Sequence, residues 1–157
     1  MKVFPTTEKE FILTDNQEET LYRLKRRTDY SKNLTSQYTD KSFRGEVNEN
    51  RFNIISSAIG SGAFCILKGE ISSKKGIVKV EIHKMFKALL SVLLLFPLIG
   101  LIVEILNRNE DFSPIFILIV VIQFLFIRFG FIELAFRSLC KSSLNRLRDV
   151  LDIEWKK

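Results

Sequence analysis

Two apolar stretches, Met85–Leu106 and Pro114–Phe136, set the terms for everything else in this chain. Ala88–Val103 is an uncharged run of 16 residues, and Pro114–Ile127 is one of 14. A helix rises about 1.5 Å per residue, so about 20 residues cross a hydrocarbon core of about 30 Å. In both stretches the apolar residues go all the way round the helix and leave no polar stripe. Runs of this length also suit the core helices of a soluble α+β domain. A chain of 157 residues, however, has little other material with which to cover two such helices. We therefore expect a transmembrane hairpin with spans 85–106 and 114–136, joined by the short segment Asn107–Ser113.

The charges near the ends of the stretches can be placed on that reading. Lys87 lies within a turn of the first span's start, where its ammonium can snorkel to the headgroups. Arg128 is deeper, and an ion in the hydrocarbon costs about 2.5–3.5 kcal/mol on insertion scales. It is read as a snorkelling guanidinium before it is read as a functional group. Centring the hairpin on Glu110 sets Lys87 opposite Glu133 and Arg128 near Ser91 and Val92. A Lys87–Glu133 pair is thus the expected ionic contact between the helices. Pro97, followed by Gly100, predicts a kink in the first span.

The flanks carry the remaining information. Residues 1–84 suffice for one small domain and hold 15 Lys/Arg against 11 Asp/Glu. Residues 137–157 hold six against three, and the inter-span segment one against two. The positive-inside rule puts both flanks in the cytoplasm. The net charge of +6 suits an anionic membrane leaflet better than nucleic acid, since no long basic block is present. The start, MKVFPTTEKE, has no apolar core, so no cleaved secretory signal is expected and the first span serves as its own insertion signal. Cys65 and Cys140 lie far apart in sequence, so no disulfide framework or metal-ligand spacing is expected; each reads as a small buried residue.

Along the chain, Glu10–Thr14 reads as a short strand. Asp15-Asn16 offers an N-cap to a helix over 16–27, with Glu18 and Glu19 in its first turn and Leu21 and Leu24 on its buried side. Arg23, Lys25, Arg26 and Arg27 close it, as a solvated helix end or as a contact for headgroups or a partner. Thr28–Lys41 reads as a long polar connection. From Ser42 to His83 the period is two, with turns at Asn48–Asn50 and Ser72–Gly76, which predicts an antiparallel meander with one wet face and the helix on the dry one. Phe136, Cys140, Leu144, Leu147 and Leu151 recur at helical spacing, so the second span should continue as an amphipathic helix. Its Lys141 and Arg148 lie off that stripe and are further candidates for headgroup or partner contacts. Trp155 could anchor at a surface. Gly60-Ser61-Gly62 lacks the second half of a phosphate loop, and His83, the only histidine, has no acid or nucleophile at a recognisable spacing.

The pieces Phe43-Arg-Gly45-Glu-Val47, Lys68-Gly69-Glu70-Ile71, Val78–Lys84 and Glu133 before Leu144–Leu151 have a familiar order. In this layout the chain resembles, over residues 10–151, a group of small bacterial two-span membrane proteins with a cytosolic α+β domain, PH-like or half-barrel in its meander. The resemblance implies an α+β fold and an inner-membrane address, and brings no activity with it. The abundance of Lys, Asn, Ile and Phe fits a low-GC bacterial genome.

The expected fold is therefore α+β: a cytosolic meander domain with one helix at 1–84, a hairpin at 85–136, and a cytosolic amphipathic helix and tail at 137–157. The expected function is a non-enzymatic, membrane-anchored binding or interaction module without a cofactor. The lipid bilayer is its first partner, with another membrane protein or a second copy as further candidates. An immunity or stress protein of the inner membrane is the alternative, resting on size and topology. An enzyme acting on lipid through Arg128, Glu133 or His83 is a weaker one, since no paired-carboxylate or nucleophile motif accompanies them.

Overall fold

The computed structural model describes residues 4–35, 37–58, 64–106 and 115–156. The expected inter-span segment and the glycines at 60 and 62 lie outside these. The elements run β1 (Thr6–Leu13), α1 (Gln17–Arg27), β2 (Thr28–Tyr30), β3 (Phe43–Val47), β4 (Arg51–Ser56), β5 (Cys65–Ser72) and β6 (Lys75–Ile82). They continue with α2 (Lys84–Leu106), α3 (Ile115–Leu125), a π-helical stretch (Phe126–Ile132), α4 (Glu133–Leu151) and β7 (Ile153–Trp155). The fold is α+β. Two compact units divide it: residues up to His83 together with those from Phe136 onward, and Lys84–Ala135.

The first unit is built on one mixed, seven-stranded sheet in the order β2-β3-β4-β5-β6-β1-β7. Strands β3 to β6 form the antiparallel meander that the period-two alternation predicts. Three additions enlarge it. The N-terminal strand is longer than Glu10–Thr14 and pairs antiparallel with β6, Lys9 opposite Val78. Thr28–Tyr30, expected to be part of a connection, pairs parallel with β3. The tail is a strand as well: Asp152, in the left-handed region at φ 52°, ends α4 and turns the chain back so that β7 pairs with β1. Both outermost strands are three residues long, which leaves little open edge for unwanted pairing.

One face of the sheet is dry. Ile54, Leu67 and Val80 sit side by side across β4, β5 and β6, all fully buried. Gly69 and Gly76 leave room there for the rings of Phe52 and Phe11, which lie against the strands where a Cβ would otherwise stand. Gly45 is different in kind. Its φ of 144° excludes ordinary L-residues, and a Cβ there would run into the backbone of Asn53 and Ile54 on β4. The strand receives β2 at this point, where the Ser31 amide donates to the Gly45 carbonyl at 3.1 Å.

Two helices supply apolar cover. α1 starts with Glu18 and Glu19 and ends with Lys25, Arg26 and Arg27, each sign at the helix end that favours it. It packs beside β2 and β3 and buries Leu21 and Leu24. Thr28 closes it by donating its hydroxyl to the Leu24 carbonyl at 2.7 Å. The expected cap at Asn16 is in position, but its side chain makes no capping bond. From α4, the stripe Phe136, Cys140, Leu144, Leu147 and Leu151 is buried as the helical spacing predicts. Full burial of a leucine contributes about 1.5–3 kcal/mol. Arg146 ties α4 to the sheet through the Ser56 hydroxyl at 3.2 Å.

The second unit is the apolar hairpin. α2 runs on through Pro97, and its buried residues Leu90, Leu94 and Pro97 recur at one-face spacing where it packs with α3 and the π-helical stretch. Two helices are long and apolar enough to cross a membrane, Lys84–Leu106 and the continuous run Ile115–Leu151. Their most apolar windows are only 17% and 6% buried, respectively.

Candidate functional site

The four basic residues closing α1 do not act together. Arg23 is half-buried and bonded to Asp15, with Glu19 at 4.0 Å. Lys25, Arg26 and Arg27 remain exposed at the helix end. The expected contact cluster is thus three solvated cations and one structural one.

Lys141 and Arg148 fare differently. In an α-helix, positions 137, 141, 145 and 148 fall on one flank. That flank of α4 faces β1 and β7 across a cavity of about 340 Å³. Arg137, Lys141 and Arg148 line it from α4, and Lys9 lines it from β1. Among the described residues, no acidic one lines it. Arg148 reaches out to exposed Asp149 at 3.2 Å. Lys141 makes no ion pair or hydrogen bond among the described residues. The walls are apolar: Phe136, Leu144 and the ring of Trp155. Trp155 is therefore not a free surface anchor. It stands edge-on to Phe11 with centroids 6.1 Å apart, and the Lys9 ammonium lies 5.2 Å over its ring.

Cys140 also lines the cavity, and here the structure corrects the expectation of two unrelated buried cysteines. Cys65 and Cys140 are joined by a disulfide, with Cα atoms 5.8 Å apart. Seventy-five residues separate them in sequence. β5 and α4 bring them together because Cys65 faces the dry side of the sheet and Cys140 sits on the buried stripe of the helix. The bond pins the first turns of α4 to the middle of the sheet.

The opposite, wet face carries a larger and shallower trough of about 640 Å³ over β3 to β6. Its charges are mostly spoken for. Arg51 meets Glu70 at 3.2 Å, and Lys68 and Lys79 both meet Glu81, at 3.3 and 2.7 Å. The bond from Lys79, helped by Lys68, holds the Glu81 carboxyl down at about 2 against the opposing effect of burial. A carboxyl whose pKa is lower folded than unfolded stabilises the fold fully above its unfolded pKa and loses that contribution as pH falls through the folded one. The melting temperature of the full chain, followed by Trp155 fluorescence, should therefore drop between about pH 5 and pH 2. Glu81→Gln should be less stable at pH 7 and show a shallower drop; equal slopes would remove Glu81 from the account.

Within the hairpin, Glu133 meets Arg128, Nη1 to Oε2 at 3.4 Å, and no ion pair joins it to Lys87 among the described residues. The reason is the π-helical stretch. In α geometry, residues five apart stand about 140° apart around the axis, whereas a π turn hydrogen-bonds i to i+5 and brings them to one side. Arg128 lies within that stretch and Glu133 follows it directly. The guanidinium also stacks on Phe129 at 5.1 Å. The Arg128 and Glu133 side chains are 13% and 26% exposed, so two charges on an apolar helix are covered by each other and by a ring. His83 follows β6, and its amide donates to the Phe64 carbonyl at 3.3 Å.

No protein-family model, curated protein or solved structure matches this chain.

Proposed function

We propose that this chain is an integral membrane protein without catalytic function, in which the hairpin anchors a binding domain at the bilayer surface. The observation that carries the reading is the exposure of the two apolar helices. A core helix in a soluble domain is mostly buried, and these are not. Large apolar side chains such as Phe96, Ile99, Ile102 and Phe126 are more than half exposed. Patches of that extent belong in lipid or in an interface.

The sheet supports a further part of the reading. β1 lies before the hairpin and β7 after it, and the two strands are hydrogen-bonded neighbours. That pairing supports one compartment for both flanks of the hairpin, and so an even number of crossings. We read the compartment as the cytoplasm, on the basic excess of the flanks, and the membrane as a bacterial inner membrane, on the resemblance and the compositional bias. In a reducing cytoplasm Cys65 and Cys140 would rest as two neighbouring thiols and join on oxidation.

Fractionation tests the proposal. Membranes washed in alkaline carbonate should retain the protein until detergent is added, and a tag placed after Lys157 should resist protease in intact spheroplasts. Recovery of the untagged chain in the detergent-free supernatant would overturn the membrane anchor. Tag cleavage in intact spheroplasts would overturn the cytoplasmic assignment alone.

A further inference from the structure

We infer that Cys140 is a site of oxidation by hydroperoxides and that Cys65 is the thiol that completes the reaction, so that the bond between them works as a redox switch. The inference rests on the cytoplasmic reading in one respect only: a reducing compartment keeps the pair as thiols at rest. The geometry separates the two roles. Cys140 lines the cavity between α4 and the β1–β7 edge, and Cys65 is not among the lining residues. Cys65 is 0% exposed and Cys140 3%. The cavity holds about 340 Å³, against the roughly 30 Å³ that one water takes up in the liquid. A small hydroperoxide therefore has room to meet the Cys140 sulfur, whereas Cys65 has no face on that space.

The surroundings suit the chemistry. The attacking species is a thiolate, and neighbouring cations favour that form. Lys9 from β1 and Lys141 from α4 line the same cavity. Attack of the Cys140 thiolate on one oxygen of a hydroperoxide breaks the O–O bond. The sulfur becomes a sulfenic acid, and the departing oxygen takes up the proton that the thiol gave up and leaves as an alcohol or water. The Cys65 sulfur then attacks the Cys140 sulfur, the disulfide forms, and the hydroxyl leaves as water with the Cys65 proton. Two thiols thus give up two electrons, and one hydroperoxide accepts them. The Cα atoms are 5.8 Å apart, a usual spacing for a disulfide, so the second step requires no backbone movement. A resolving thiol at that distance also protects Cys140 from the irreversible steps beyond the sulfenic acid.

The order of attack can be read on full-length protein in detergent, reduced and then freed of reductant. Hydrogen peroxide is added together with dimedone, which traps sulfenic acids. The wild-type protein should close its disulfide, and Cys65→Ser should accumulate the dimedone adduct at Cys140. Cys140→Ser should be labelled at Cys65 roughly tenfold more slowly, as befits a buried thiol away from the cations. Limiting iodoacetamide on the reduced wild-type protein, followed by peptide mapping, checks the same order without a substitution, and Cys140 should be alkylated first. Emission of Trp155 shows whether each variant is folded; where one is not, the iodoacetamide order decides. Labelling of Cys65 as fast as Cys140, or a wild-type protein that keeps both thiols under peroxide, would overturn the inference. In cells quenched with acid and alkylated, the pair should be reduced at rest and bonded after a pulse of peroxide. A pair bonded at rest, in a protein whose C-terminal tag is cytoplasmic, would overturn the switch. Because the labelling is run on detergent-solubilised protein, its failure leaves the membrane anchor standing. A tag found outside the cytoplasm would remove the resting dithiol and leave the labelling order to decide the site.

Discussion

With the Cys65–Cys140 bond closed, the folded domain should withstand far more denaturant than with the bond reduced. Tying two points of a chain together restricts its unfolded forms, and the gain grows with the length of the enclosed loop. For a separation of 75 residues the chain-entropy estimate is about 4 kcal/mol. That figure treats the enclosed segment as free. If the hairpin stays in detergent or lipid while the domain unfolds, only roughly 22 residues of the loop are released and the gain falls to about 3 kcal/mol. Guanidinium unfolding monitored through Trp155, with and without a thiol reductant, reads the difference. Cys140→Ser should behave like the reduced protein and lose all dependence on the reductant. Identical midpoints in the two conditions would mean that the bond does not form in the folded protein. Since Cys140 lines the basic cavity, the same reduction should loosen one of its walls.

The second large effect is expected at Gly45. Its φ of 144° lies where a side chain is strained, and any Cβ meets the β4 backbone at Asn53 and Ile54. Strain of this kind costs about 1–3 kcal/mol, and the clash adds a similar amount. Gly45→Ala should therefore destabilise the domain by about 3 kcal/mol or more. Gly100→Ala supplies the contrast. Nothing lies within 4 Å of a Cβ at Gly100, so the change should be neutral or slightly stabilising, as it is in a helix interior. Melting curves of the two variants side by side test the claim. A harmless alanine at position 45 would show that β3 can relax its backbone there and that the φ of 144° is not required for pairing with β2 and β4.

Much of this architecture is legible in the residues themselves. The two long helices stand out because a charge-free run of 14 to 16 residues has few other uses. The meander stands out because apolar and polar residues alternate from Phe43 to Ile82. What escapes is short or non-local. Thr28–Tyr30 and Ile153–Trp155 are three residues each, too few to show a period, and become strands only because β3 and β1 offer them an edge. The disulfide requires β5 to meet α4, which no local pattern announces. The Arg128–Glu133 pair escapes because an antiparallel alignment of ideal α-helices sends Glu133 to Lys87. Only the wider π turn makes a separation of five residues a neighbourly one. Of the cavity, Arg137, Lys141 and Arg148 can be picked out as cations off the apolar stripe. Lys9 cannot, since it is drawn in by strand pairing.

The order of the strands bears on how the protein is made. β1 is synthesised before the hairpin, yet one of its edges waits for β7, which is made after it. The dry face of the sheet likewise waits for Leu144, Leu147 and Leu151 of α4. Until translation has passed both apolar helices, the nascent chain holds a sheet with an uncovered apolar side. Synthesis of the hairpin and completion of the domain are thus successive steps on one growing chain. A ribosome stalled after the first of them would leave behind a half-built, adhesive product.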